Sequence, residues 1–534
     1  MAARVLNAVR WLPAVAALGY VYVLVRRLGE VADQVTWNPD YVSVMAIANT
    51  IGAHGKTGRA VVIQAGYFWF DLATYRLPFH RWIWEYAPSA MALLALVLLC
   101  WTAWRVAGRF AAALTASIGL AASPLVLSTE VAQSYHGTTW FGAALLGAYL
   151  CWLLSSKAGR LQTAAVALTV VALAGFATAS DPLLGPTGDV PFVVAILLLW
   201  RARHRDVAGT KVVAGLASAA GVGLVAGLLV LGGRFAGYGS SFPRGLTHPV
   251  TPAHIAGNVR QLVSGIFEVA GAPRGGGSVI GLALGCLLFA GVLLPIMWLI
   301  RSIRGPMPAP LLGVIAFWAV SALAVAAGFL FSDVPADFLQ NSARYLVPMF
   351  FVAVGTVPIW AATGTRRAAA VAVPAAFFIL SNAAAVDHNA DARLFRPSFI
   401  DGLDAAIAFL EQHGLTHGYA AYDEASPISW KTDFGVEIYP ITEVLVSPDD
   451  SCGSTGSPAV CPFAYDSVSD WYRSGGGPTF ILIDPQLYRL TQPPPDSLDK
   501  PIAVYNVGRF VIYVYADDVA AHMDLPRRFT RPLL

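Results

Sequence analysis

Charge is what this sequence has least of. Asp, Glu, Lys and Arg make up 13% of 534 residues, against about a quarter in an ordinary soluble domain, which excludes a soluble enzyme of usual make-up. The net charge of +3 is too small for a nucleic-acid-binding surface, and the arginines recur in small groups between apolar runs rather than on one basic face. Cysteine is scarce as well. Among five cysteines there is no CxxC, and no histidines stand at ligand spacing, which argues against zinc. The GAHGKT run around Lys56 has Thr50 where a P-loop needs its first glycine, and RGGGS after Arg274 has neither a strand before it nor a lysine after it. No repeat of transporter or solenoid type is visible.

What fills the chain instead is apolar sequence: 56% hydrophobic residues and a mean hydropathy of +0.60. Apolar segments start near Trp11, Pro88, Ala111, His136, Leu161, Val190, Val212, Val279, Ala309, Arg344 and Ala369. Several have the ~20 residues needed to cross a ~30 Å hydrocarbon layer. The pattern predicts an α-helical polytopic membrane protein with about eleven transmembrane helices over 1–386. The first segment lacks a small-x-small cleavage site before Arg26 and Arg27, so it reads as an uncleaved span.

Numbering the loops alternately separates two faces. One holds Arg4 and Arg10, Arg105 and Arg109, Lys157 and Arg160, Arg201, Arg203, Arg205 and Lys211, Arg301 and Arg304, and Arg366 and Arg367. Those fourteen basic residues meet essentially one acid, Asp206, so the positive-inside rule makes this face cytoplasmic. The other face holds three long segments: 26–86, 233–278 and everything after about Val386. The expectation is a multi-pass plasma-membrane protein with a cytoplasmic N-terminus and an extracytoplasmic C-terminal domain.

That domain, 387–534, has the texture of a soluble α/β fold. FIDGLDAAIAFLEQHG has apolar residues at helical spacing and closes on Gly414. GYAAY, VEIYPI, TFILID, IAVYNV and RFVIYVYA read as strands. No nucleophile elbow or triad order appears in it. Cys452 and Cys461 flank a Gly/Ser/Pro loop and suggest a disulfide in an oxidising compartment, whereas Cys100, Cys151 and Cys286 sit in apolar runs as packing residues.

Ionisable residues collect on the outer face. The first long segment carries Asp33, Asp40, Asp71 and Glu85 among many aromatics, and YVSVMAIANTIGAHG reads as a helix on the membrane surface with Asp40 at its start. Asp40 there either caps the helix or faces a lipid-linked substrate. Glu130 and His136 lie between the third and fourth spans, Asp181 at the mouth of the fifth, and Arg344 with Tyr345 opens the tenth. Such groups at span mouths serve function or pair structurally. A guanidinium at a membrane boundary suits a lipid phosphate. Asp387, His388 and Asp391 follow the last span, as a metal site or a solvated boundary.

This layout resembles the GT-C superfamily of membrane glycosyltransferases, which use polyprenyl-phosphate sugars outside the cytoplasm. The matching pieces are WNPDYVSVMAI after the first span, FWFDLATYRLPFHRWIWEYAP before the second, and ARYLVP entering a late span. The acidic pair of many members is reduced here to the single Asp of WNPD, which leaves the use of a divalent metal and the identity of a second carboxylate open. The resemblance implies a polyprenyl-phosphate-linked sugar donor, an envelope glycan, lipid or protein acceptor, and inversion at the anomeric carbon. It makes Asp40 the catalytic base and Arg344, with Tyr345, Arg76 or Arg81, the phosphate holder. Glu85, Glu130 and His136 then orient the acceptor or act as a second acid. Two other readings compete: a transporter or flippase of a lipid-linked substrate, and a non-catalytic scaffold binding an envelope polymer.

Overall fold

The computed structural model describes residues 8–27, 29, 37, 39–54, 60–61, 68–131, 134–201, 209–235, 238–239, 250–272, 278–302, 307–332, 342–390, 402–443, 460–463, 467–473, 475–486, 494, 498–523 and 525. Helices are numbered α1 (Leu12–Arg26), α2 (Pro39–His54), α3 (Phe68–Thr74), α4 (His80–Ala107), α5 (Arg109–Leu120), α6 (Pro124–Val131), α7 (Ser134–Ser155), α8 (Arg160–Ser180), α9 (Val190–Arg201), α10 (Gly209–Phe235), α11 (Pro252–Val269), α12 (Val279–Ser302), α13 (Ala309–Leu330), α14 (Pro348–Ala362), α15 (Thr365–Ala390), α16 (Leu403–Gln412) and α17 (Tyr422–Lys431). The chain divides into two compact units. One comprises Met1–Val31, Ala87–Leu229 and Pro243–Leu394; the other comprises Ala32–Tyr86, Val230–Phe242 and Phe395–Leu534.

The first unit is the apolar bundle. Among the described residues eight helices are long and apolar enough to cross a membrane by themselves. Three of the eleven expected segments take another form. The first is the 15-residue α1. The sixth is the 12-residue α9, continued from a π-helical turn at Gly185–Asp189. The third breaks between α5 and α6 with a bend of 91°. A break inside an apolar bundle frees backbone carbonyls that need partners. Tyr20 Oη donates to the Ala122 carbonyl at 2.7 Å and Asn382 Nδ2 to the Ala121 carbonyl at 3.2 Å. Ser123 Oγ then accepts from the Val126 N–H, capping α6. Gly271, at φ +100°, makes the close approach to Asn382: a Cβ there would lie 2.1 Å from Asn382 Oδ1.

The ends of the bundle also carry a topological fact. Arg27, just past α1, donates through Nη2 to the Asp387 carbonyl at 2.9 Å, and its Nε lies 3.4 Å from the Asp387 carboxylate. The C-terminal ends of α1 and α15 therefore lie together. Asp387 is thereby engaged as an ion pair, and Asp391 lies outside the described residues.

The second unit is built on a six-stranded mixed sheet in the order β5-β4-β3-β7-β9-β8, from β3 (His417–Ala420), β4 (Glu437–Glu443), β5 (Val460–Pro462), β7 (Thr479–Ile483), β8 (Ala503–Val507) and β9 (Phe510–Tyr515). β3 pairs in parallel with both β4 and β7, with α17 as the crossover between β3 and β4. All five strands expected from the sequence are present. α16 ends as expected at Gly414, which adopts φ +64°. Leu415 N–H reaches the Leu410 carbonyl at 2.9 Å and Gly414 N–H the Glu411 carbonyl at 3.2 Å, so a Schellman motif satisfies the last carbonyls.

The same unit takes in the first long segment. Trp37 is buried in the core that Leu403, Ile428, Phe480 and Ile512 form. β1 (Ala60–Val61) pairs in parallel with β2 (Tyr238–Gly239) and antiparallel with β6 (Ser467–Val468). One small sheet thus joins strands from all three long segments. Cys461 is disulfide-bonded, Cys100, Cys151 and Cys286 are free, and Cys452 lies outside the described residues.

Candidate functional site

The helix at whose start Asp40 stands is not a half-exposed surface helix. Residues 41–48 are buried without interruption, Val42, Ser43, Met45, Ile47 and Ala48 completely. A helix buried all round is surrounded by protein, and α2 packs on α17 and α3. Tyr422 Oη donates to the Pro39 carbonyl at 3.3 Å, and Ser43 Oγ to Ser426 Oγ at 2.8 Å. Both pairs are 383 residues apart in sequence, so α2 and α17 run parallel in a single register. The backbone of Asp40 consequently stands level with Asp423 in the first turn of α17, where Asp423 and Glu424 are both buried. The side chain of Asp40 lies outside the described residues.

Two candidates from the first long segment hold α17 in place. Arg81 pairs with Asp433, donates to the Trp430 carbonyl at 2.5 Å and lies 4.2 Å from the centre of the Trp430 ring. Glu85 Oε1 accepts from Trp430 Nε1 at 2.9 Å, and Trp84 stacks on Trp430. Tyr41 Oη donates to the Trp84 carbonyl, tying α2 to the same aromatic group. Arg76 is exposed.

Asp71 is a different case. On α3, it is 0% exposed, and neither carboxylate oxygen has a hydrogen-bond partner among the described residues. Burial pushes its carboxyl well above the usual carboxylate range, because desolvation disfavours the charged form. The sequence shows Asp71 only as one acid among several; its isolation is a property of packing.

The remaining candidates belong to the bundle unit. Arg344 and Tyr345 lie on a 3-10 turn, Ser342–Leu346, that packs on α11 and touches α6, the helix that carries the buried Glu130. Arg344 Nη2 donates to Tyr345 Oη at 3.1 Å, with the guanidinium 5.1 Å from the ring centre. Ser342 Oγ reaches Gln261 Oε1 of α11 at 3.4 Å. Glu130, Arg344 and Tyr345 are therefore on adjoining elements. His136 is in the first turn of α7, and its side chain lies outside the described residues. Asp181 accepts from Thr139 Oγ1 and from the Leu183 N–H at 2.9 Å, closing the turn after α8. Among the described residues no three of His, Cys, Asp and Glu converge at metal-ligand spacing.

No protein-family model matches the chain, and no curated protein matches it. Solved structures do. A structure of ArnT from Cupriavidus metallidurans bound to undecaprenyl phosphate is similar at 14% identity over 92% of this chain and 97% of that one, with a TM-score of 0.47. The oligosaccharyltransferase of Archaeoglobus fulgidus in its apo form is similar at 12% identity over 80% of this chain and 64% of that one, TM-score 0.42. The oligosaccharyltransferase AglB of the same organism, in complex with an inhibitory peptide and a dolichol-phosphate, is similar at 12% identity over 78% and 63%, TM-score 0.38.

Proposed function

We propose that this chain is a membrane glycosyltransferase of the GT-C kind that moves a sugar from a polyprenyl-phosphate donor to an envelope acceptor outside the cytoplasm. The observation that carries this reading is the joining of all three long, ionisable-rich segments by the β1–β2–β6 sheet. A donor already activated as a phosphate ester needs no nucleotide-binding fold. What it needs is a base for the acceptor hydroxyl and a cation for the departing phosphate. Asp40 takes the hydroxyl proton as the acceptor oxygen attacks the anomeric carbon. The bond to the phosphate oxygen breaks from the opposite side, so the configuration inverts, and the polyprenyl phosphate leaves with the bonding pair. Arg344, with Tyr345 beside it, meets that developing charge. The buried Glu130 on the adjoining helix orients the acceptor. Arg81 and Glu85 act as positioning residues: they hold α17, and α17 holds α2.

The test is transfer from radiolabelled polyprenyl-phosphate sugars by the purified full chain. Loss of a general base costs roughly 10²–10⁴ in rate, so Asp40→Asn is expected to lower transfer by that factor with binding of the donor retained. No transfer by the wild type across the donor sugars, or equal transfer by Asp40→Asn, refutes the proposal.

A further inference from the structure

A second site lies in the bundle unit, between α12, α14 and α15. The three helices enclose an elongated apolar cavity of about 660 Å³. Its origin is in the sequence. α12 and α14 approach closely at Gly291, where a Cβ would lie 3.0 Å from that of Ala353. Each of the three helices also carries an internal proline, Pro295, Pro358 and Pro374. A proline removes one backbone hydrogen bond and its ring crowds the preceding turn. Along α12 the cavity wall runs from Leu287 to Arg301, which at ~1.5 Å per residue is about 21 Å. That exceeds half the ~30 Å hydrocarbon layer, the depth available to one lipid chain in one leaflet.

The two ends differ in chemistry. The deep end is walled by Phe350 and Phe378, while Arg301, Arg367, Trp298 and Trp360 surround the mouth. Arg367 is held there: Nη1 donates to Thr363 Oγ1 at 2.6 Å and the guanidinium lies 5.3 Å from the centre of the Trp360 ring. Both arginines are exposed, and neither pairs with a carboxylate among the described residues. The mouth is on the basic face of the chain, at the opposite end of the tenth span from Arg344.

We propose that this groove seats an anionic phospholipid of the leaflet on the basic face, with one acyl chain between α12, α14 and α15 and its phosphate between Arg301 and Arg367. Charge complementarity decides the class of occupant. Two guanidiniums suit a phosphodiester, tryptophans settle at the headgroup level, and anionic lipids populate the cytoplasmic leaflet that the basic loops mark. A zwitterionic lipid offers the same chain, but its own cation offsets the phosphate at the mouth.

The test uses the delipidated full chain with dioleoyl phosphatidylglycerol or dioleoyl phosphatidylcholine at matched concentration, read by native mass spectrometry. The expected result is a single preferred phosphatidylglycerol, with affinity falling on the order of thirtyfold in the Arg301→Gln/Arg367→Gln double variant. Ala370→Trp, which fills the wall from an exposed position, is expected to lower retention of both lipids. Equal retention of the two lipids by the wild type overturns the proposal, as does unchanged phosphatidylglycerol retention in the arginine variant. Displacement of phosphatidylglycerol by equimolar undecaprenyl phosphate overturns it too, by giving the seat to the carrier lipid. Asp40 and Arg344 take no part, so the sugar-transfer proposal stands or falls separately.

Discussion

The contact that sets α2 against α17 can be tested as a thermodynamic cycle. Ser43 and Ser426 are 0% and 2% exposed, and Ser43 Oγ donates to Ser426 Oγ at 2.8 Å. Removing one hydroxyl leaves the other buried without this partner, at a cost of about 1–3 kcal/mol, whereas removing both leaves no polar group to desolvate and is close to neutral. Ser43→Ala and Ser426→Ala should each therefore destabilise the second unit by about 2 kcal/mol, and the double variant by well under the sum. For a unit of roughly 200 residues, 1 kcal/mol shifts the melting temperature by about 2–4 °C, so each single variant should melt roughly 4–8 °C low. Trp84 and Trp430 belong to this unit and lie next to each other, so intrinsic tryptophan fluorescence of the detergent-purified chain follows the transition. Additive losses in the double variant would refute the reasoning, since additivity means that the two hydroxyls do not share a bond.

Asp71 should make stability depend on pH in a defined direction. Its carboxyl is raised by burial in the folded chain, so the native state keeps the proton after the unfolded chain has lost it near pH ~4. Stability is then fully present below that pH and falls as pH rises through the folded value. Asp71→Asn should melt higher than wild type at neutral pH, with the gap closing toward pH ~4; a gap that stays constant across the range contradicts this. Gly271→Ala should destabilise the bundle by roughly 1–3 kcal/mol, because φ +100° is strained for alanine and its Cβ would displace Asn382 from the Ala121 carbonyl. Wild-type melting and protease resistance in that variant would show that the α5–α6 break does not depend on Asn382.

The helical membrane fold was legible in the residues alone, because crossing a hydrocarbon layer demands long apolar runs. The basic loops also grouped the three long segments, and the β1–β2–β6 pairing joins strands from all three. The strands and the Gly414 stop of α16 were legible for the same reason: they rest on local patterns and on a backbone angle that glycine adopts at no steric cost. Helix α17 was not legible. YDEASPISWK is polar and carries Pro427, and it is buried because the sheet covers one side of it and α2, 383 residues away in sequence, lies alongside it. The contacts of Arg81 and Glu85 depend on that same helix, so the charges of the first long segment do not by themselves reveal that both residues grip Trp430. The bend between α5 and α6 likewise turns on Tyr20 and Asn382 from distant spans. Periodicity shows which segments must be buried. Which buried segments meet, and whether a carboxylate such as Asp71 finds a partner there, is decided by contacts distant in sequence.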